Sequence, residues 1–201
     1  MIILELIILY TILTLKIISM KNMNKPKKIS EKVIFENPWR KVLLKEVKNK
    51  LGVSSIYPST THSGEKFATM IIPITKNKEI VYCKEWRIGI EDFVYNFPFG
   101  IKEKGISFED NAKKEMKEET GCVSNNIFYL GESIFANYDD TIVKYFVALD
   151  CEIGENNLGD FEFLEVMKSN KELFEENIKS GLINCPVTIS CYTLAKLNLF
   201  L

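Results

Sequence analysis

Apolar and polar positions alternate in short β-type runs through the first half of the chain and give way to helical spacing later. Runs rich in β-branched and aromatic residues predict strands over residues 32–35, 41–48 and 53–57, with a turn over 49–52. A hairpin follows over 67–74 and 79–86, turning across 76–78. Further strands are expected over 126–135, 142–149 and 161–166. Helices are expected over 171–179, capped by Ser169 and ended by Gly181, and from Pro186 to about residue 199. Between the two groups of strands lies the run that organises the chain. Pro98 and Gly100 end a strand, Gly105 keeps a turn, and Ser107 is placed to N-cap a helix that closes at Thr120-Gly121.

At about 100° per residue, Phe108, Ala112 and Met116 share one face of that helix. Glu115 and Glu119 fall on the same face, with Glu118 at its edge, while Lys113, Lys114 and Lys117 point to water. Converging carboxylates repel unless a hard cation joins them, and oxygen donors suit Mg²⁺ or Mn²⁺. The wheel alone also allows an ordinary Glu/Lys-rich surface helix.

From Gly100 the stretch resembles the Nudix box, Gly-x5-Glu-x7-Arg-Glu-U-x-Glu-Glu-x-Gly-U, where U is bulky and apolar. Gly100, Glu115, Met116, Glu118, Glu119 and Gly121 match, and Cys122 takes the last apolar place. Ile106 stands where the family has its first Glu, and Lys114 where it has Arg. Pro98-Phe99-Gly100 before the box and Glu-Glu-Thr-Gly at its end look most like the ADP-ribose pyrophosphatase branch. The resemblance implies an α/β protein: a Nudix-type α/β/α sandwich with a mixed sheet and a small N-terminal β subdomain, which commonly helps build a homodimer. It implies a metal held at Gly100, Glu115, Glu118 and Glu119, Mg²⁺ or Mn²⁺, and hydrolysis of a nucleoside diphosphate derivative, ADP-ribose first. Trp86 and Arg87 match an aromatic–Arg pair that reaches the substrate, and a guanidinium fork suits a diphosphate. An ion pair of Arg87 with Glu91 or Asp92 is the plainer reading. Gly100 and Thr141, the latter in a turn over 136–141, are further substrate-side candidates; a simple hairpin turn explains 136–141 nearly as well. Glu155 or Asp160, in an acidic Gly-rich loop, is the expected general base. Lys114 can pair with Glu118, but as a point charge without Arg's fork, so activity is expected to be retained at a reduced level. A non-catalytic nucleotide-binding copy and a pyrophosphatase for another nucleoside diphosphate sugar are the alternatives.

Composition narrows the picture in three places. The 201 residues are 46% hydrophobic and 26% charged, as in a globular protein, and divide into residues 1–22, a β subdomain over 23–62 and the main domain over 63–201. A net charge of −1 gives no bulk attraction for nucleic acid. Five cysteines without a Cys-x-x-Cys pair suit reduced thiols in a cytoplasmic protein. One histidine, His62, in a polar loop-like stretch, speaks against a serine triad or a multi-histidine metal site. Trp39 reads as a packing residue, with a ligand contact as the alternative.

Residues 1–19 are very apolar but interrupted by Glu5 and Lys16, leaving residues 6–15 as the longest uncharged run, against about 20 needed to span a bilayer. The segment reads as disordered, or as spurious upstream sequence with translation starting at Met20 or Met23. The alternatives are a membrane-touching helix, which would leave the main domain cytoplasmic, and, with least support, a secretory signal. A chain beginning at Met23 is expected to be soluble, folded and fully active. Comparing its turnover and its membrane fraction with those of the whole chain checks this, and an insoluble or inactive shorter chain would make the segment part of the fold.

Overall fold

A computed structural model describes residues 25–158 and 163–201. The chain forms two compact units. One comprises the described residues up to Phe35 together with Val42–Ser59; the other comprises Glu36–Lys41 and Thr60–Leu201. Residues 1–22 and Asp160 lie outside the described residues.

The first unit is built on three strands, β1 (Lys27–Glu36), β2 (Arg40–Lys48) and β3 (Ser54–His62), lying in that order. The turn from β2 to β3 is the expected one over 49–52, closed by Asn49, whose side chain accepts from the N–H groups of Leu51 and Val53. Gly52 takes a φ of 83°, which a side chain would resist. The strands run longer than their apolar cores suggest. β3 continues through Thr60, which pairs in parallel with Asp139, so His62 ends a strand and is not a loop residue.

The second unit holds a mixed sheet. Its strands are β4 (Phe67–Thr75), β5 (Ile80–Arg87), β6 (Asp92–Asn96), β7 (Phe99–Ile101), β8 (Cys122–Val123), β9 (Asn126–Ala136), β10 (Asp139–Ile153) and β11 (Leu164–Ser169). The helices are α1 (Phe108–Thr120), α2 (Lys171–Lys179) and α3 (Pro186–Leu197). The central order is β10-β4-β5-β11, with β7 on β4, β6 on β5, and β8 and β9 on β10. β10 runs parallel to β4 and antiparallel to β9.

Period-2 alternation along β4 divides the core between the two faces of this sheet. Ile71, with Val81, Phe146 and Ala148, packs under Ala112 and Met116 of α1. Met70, Ile72 and Ile74, with Tyr82 and Tyr145, pack under Phe174, Val187, Cys191 and Ala195 of α2 and α3. The expected α/β/α layering with a mixed sheet is therefore present. Pro73, unusual in a central strand, sits opposite Ala148 where the β10 register shifts and Asp150 takes a φ of 55°.

Three local expectations are corrected. Asn170, not Ser169, caps α2 and accepts from Leu173 N at 2.9 Å. Ser169 is taken into the ladder opposite Ile80. Trp39 does not pack; it is 68% exposed, in a turn held by Asn37 and Ser63. Finally, 139–141 is strand, and only residues 137–138 turn.

Candidate active site

Helix α1 is positioned by its ends. Ser107 is extended at the N-cap, and its Oγ accepts from Asp110 N at 3.0 Å and donates to Asp110 Oδ2. One turn in, buried Asn111 donates to Thr69 Oγ1 of β4 at 2.8 Å and accepts from Glu103 N at 2.9 Å. This polar pin, absent from the wheel argument, ties the helix start to both the sheet and the preceding loop. At the other end Gly121 has a φ of 70° and its N–H returns to Lys117 O. A Cβ there would overlap the Gly154 carbonyl. Gly154 N in turn donates to Gly121 O, and Asn157 N to Glu118 O, both at 2.9 Å. The loop that carries Glu155 is thereby pinned to the C-terminal end of α1. Glu155 is exposed there, beside Thr120 and Val166.

The box carboxylates divide. Glu115 turns inward, with its side chain 15% exposed. Its carboxyl group fills the place a Cβ would take on Gly100, so any side chain at that position would have to push the Glu115 carboxyl aside. Glu119 follows one turn later, and its Oε2 accepts from Phe99 N at 3.4 Å. Burial pushes the Glu119 carboxyl well above the usual range; Glu85 and Glu115 add to this, while the Phe99 N–H and Arg87 oppose it. Glu118 instead meets Lys114 Nζ at 2.6 Å. Lys114 also reaches Glu103 at 3.2 Å, and the Glu118 hydrogen bond is the main cause holding its ammonium above the ordinary lysine value. Lys114 thus belongs to the carboxylate side of the helix, not to the water side that the wheel assigned it.

Among the described residues no three His, Cys, Asp or Glu side chains converge as a ready metal site. The donor chemistry still fits a hard divalent cation. Glu115 and Glu119 are like charges facing a glycine-lined strand end, and Glu118 is adjacent but engaged by Lys114. Glu119, on α1, is brought to β7, the strand that carries Gly100, by the Phe99 N–H.

β5 brings a further carboxylate that the sequence reading passed over. Glu85 lies on the same strand face as Arg87, pairs with its Nη2 at 2.7 Å and accepts from Asn96 Nδ2 at 3.4 Å. The i, i+2 spacing of Glu85 and Arg87 was visible in the sequence; its relation to Glu119, on α1, was not. Arg87 therefore pairs with Glu85, not with Glu91 or Asp92. Trp86 points the other way and packs edge-on against Phe93 at 5.4 Å. Thr141 is buried at 1% exposure and gives its N–H to Asp139 Oδ1, which leaves it no surface to offer a ligand.

A cavity of about 690 Å³ opens beside this cluster. Arg87, Asn96, Phe99, Phe135, Ile90 and Arg40 are among its walls. Phe99 and Arg87 are common to the cavity and to the surroundings of Glu119, so carboxylates and cavity form one site. Its size is that of an ordinary small-molecule site.

Ile106, at the missing first box Glu, is half-buried in the loop just before Ser107. Ile106→Glu is expected to change stability by less than about 1 kcal/mol and to keep or raise turnover. Denaturant melts and initial rates check this, and a collapse in stability would make Ile106 a core residue.

No family model matches the chain. The ADP-ribose pyrophosphatase of Bacillus subtilis (strain 168) is 28% identical over 153 residues, covering 73% of this chain and 79% of that protein. The ADP compounds hydrolase NudE of Escherichia coli (strain K12) is 28% identical over 100 residues, about half of either chain. The methanol dehydrogenase activator of Bacillus methanolicus is 27% identical over 145 residues, 71% of this chain and 77% of that protein. A crystal structure of an ADP compounds hydrolase shares the fold with a TM-score of 0.77 at 20% identity, over 89% of this chain and 96% of that chain. In sequence and fold together the chain is similar to ADP-ribose pyrophosphatase-like Nudix proteins.

Proposed function

We propose that the protein hydrolyses the pyrophosphate bond of a nucleoside diphosphate derivative, with ADP-ribose as the first substrate and AMP and ribose 5-phosphate as products. The observation that carries this reading is the sharing of Phe99 and Arg87 between the Glu115–Glu119 pair and the cavity. A diphosphate lying along Arg87 would have its nucleoside side in the cavity and its reacting phosphorus toward the carboxylates.

Glu115 and Glu119 would hold a divalent cation, Mg²⁺ or Mn²⁺, with Glu118, whose Oε2 meets Lys114, and the Gly100 backbone alongside. Bound there, the cation supplies charge neutralisation at the pyrophosphate and activation of water. The water oxygen forms a new bond to phosphorus, the bridging P–O bond breaks, and a carboxylate takes the water's proton. Glu155 and Asp160 are the two candidates for that base. Glu155 has in its favour a loop pinned to α1 through Gly154 and Asn157. Arg87, paired with Glu85 through Nη2, offers its other guanidinium donors to the diphosphate. Lys114 holds Glu118 as a point charge, without the fork of the box Arg, and this is the reason to expect a slower enzyme than one with the full box.

The first unit fits a homodimer interface. Ile34, Phe35, Val53, Ile56 and Tyr57 on or beside β1 and β3 are each more than 50% exposed, and so many apolar side chains on one small sheet call for a cover. A second copy of the same unit would supply it, and sedimentation at micromolar concentration would show a dimer. Among the described residues no helix is long and apolar enough to cross a membrane.

The test is to incubate the full chain with ADP-ribose and Mg²⁺ or Mn²⁺ and separate the products. Release of AMP and ribose 5-phosphate, faster than cleavage of ADP-glucose, is the expected result. Failure to cleave any nucleoside diphosphate derivative with either metal would sink the reading.

A further inference from the structure

The cavity contains a second guanidinium that neither the box nor the strand motif accounts for. Arg40 opens β2 directly after a turn whose backbone is tightly held. Asn37 Oδ1 accepts from Trp39 N at 2.9 Å and from Arg40 N at 2.7 Å, and Ser63 bonds back to Trp39 O and Asn37 O. The side chain is fixed as well. Arg40 Nη1 meets Asp139 Oδ2 at 2.6 Å. The same oxygen accepts from Thr60 Oγ1 at 2.6 Å, and Oδ1 accepts from Thr141 N at 2.8 Å.

The two partners differ in exposure. The Asp139 side chain is 3% exposed and Arg40 is 39% exposed. Burial works against the Asp139 charge, but the hydrogen bonds from Thr141 and Thr60 and the Arg40 guanidinium outweigh it and hold the carboxyl below its usual range. Asp139 therefore acts as a fixed anchor for one nitrogen of Arg40. A guanidinium carries five N–H donors in a planar fork, so one bond to Asp139 leaves most of them for a ligand.

The charge of the lining points to what that ligand is. Arg40 and Arg87 are the charged residues lining the cavity, and no carboxylate lines it among the described residues. A purely structural Arg40–Asp139 pair would not need its cationic end on the wall of a substrate-sized cavity. Two guanidinia in one otherwise mostly apolar lining suit an anion with more than one charged group. We propose that Arg40, oriented by Asp139, is a second anion-recognising residue of the site, which with Arg87 grips two linked phosphoryl groups and so selects nucleoside diphosphates over monophosphates. This rests on the reading given under Proposed function and names the group that enforces it.

The experiment compares binding of α,β-methylene-ADP and of AMP to the full chain in Mg²⁺, by calorimetry, with steady-state rates on ADP-ribose. The native protein should bind the diphosphate more tightly than AMP. Arg40→Gln should weaken diphosphate binding by about tenfold to a hundredfold, as expected for lost charge-assisted hydrogen bonds. AMP binding should change little, and KM should rise with kcat nearly kept. Arg40→Lys should recover part of the loss. Because Arg40→Gln leaves Asp139 buried without its cation, the double variant Arg40→Gln/Asp139→Asn is measured beside it. It should fold as the native protein does and lose the same preference. Asp139→Asn alone, with the guanidinium present but unanchored, should raise KM by less. A folded double variant that keeps the native preference for the diphosphate overturns the proposal and leaves hydrolysis standing. A native protein that binds neither nucleotide and cleaves no ADP-ribose overturns both.

Discussion

Glu119→Gln is expected to lower turnover by about 10²-fold or more, while making the metal-free protein more stable at neutral pH. The first effect follows from removing a charge that would hold the cation, which is comparable to losing one transition-state stabiliser. The second follows from burial. Glu119 is pushed above the ordinary carboxylate range by desolvation first, then by Glu85 and Glu115. A group whose folded pKa lies above its unfolded value favours folding only through its neutral form. Below the ordinary range both states are protonated, and the residue costs nothing. As pH rises through that range the unfolded chain ionises freely and the folded one resists, so stability falls. Gln keeps the shape and an acceptor for the Phe99 N–H but carries no charge to bury. Thermal melts without metal should therefore show no difference near pH 4 and a clear advantage for Gln near pH 7.5. Unchanged turnover together with lower stability at pH 7.5 would make Glu119 a structural acceptor and not part of the site.

Gly121→Ala should destabilise the fold by about 2–5 kcal/mol. Two causes act at one atom. A left-handed backbone costs an ordinary residue roughly 1–2 kcal/mol, and forcing a methyl into a packed place typically costs about 1–3 kcal/mol more. The methyl would meet the Gly154 carbonyl, so the loop after β10 has to lift away from α1. Denaturant unfolding gives the stability change. Gly121→Asn separates the causes, because Asn tolerates the left-handed region but still carries a Cβ. If Asn proves as damaging as Ala, the close approach dominates; if Asn is mild, the loop already has room. In either variant kcat should fall with the loosened loop that carries Glu155, and unchanged kcat in an unfolding-prone Gly121→Ala would remove Glu155 as a candidate base.

What could be read in advance was what the chain states locally. The α1 caps at Ser107 and Gly121, the hairpin turn over 76–78 and the start of α3 at Pro186 all depend on neighbours within a few residues. Ser169 and Asn170 are equally good caps by composition. The choice was made by β11, which needed Ser169 opposite Ile80 to finish its ladder. Lys114 was assigned to water by a wheel that tracks Cβ directions, whereas its long stem swings one turn along the helix to Glu118. The deeper misses are contacts at long range. Arg40 and Asp139 are 99 residues apart, and Glu85 and Glu119 meet only because β5 and α1 pack on the same part of the sheet. Nothing in either local stretch announces its partner. The i, i+4 spacing already allowed Lys114 to pair with Glu118; that Lys114 also reaches Glu103, and that Glu85 stands near Glu119, emerged from the fold.

The cysteines, all free, have a practical consequence. Cys83, Cys122, Cys151 and Cys191 are buried, and only Cys185 is partly open. Cys185 caps the start of α3 and forms part of the cavity wall. A thiol-directed label applied to the folded protein should therefore attach at one place, and that place looks into the cavity proposed to take the substrate. Labelling speed becomes a gauge of occupancy: a nucleotide that fills the cavity should slow it, and one that does not fit should leave it alone. A panel of candidate substrates could be sorted this way before any product is measured, using a reporter the protein already carries.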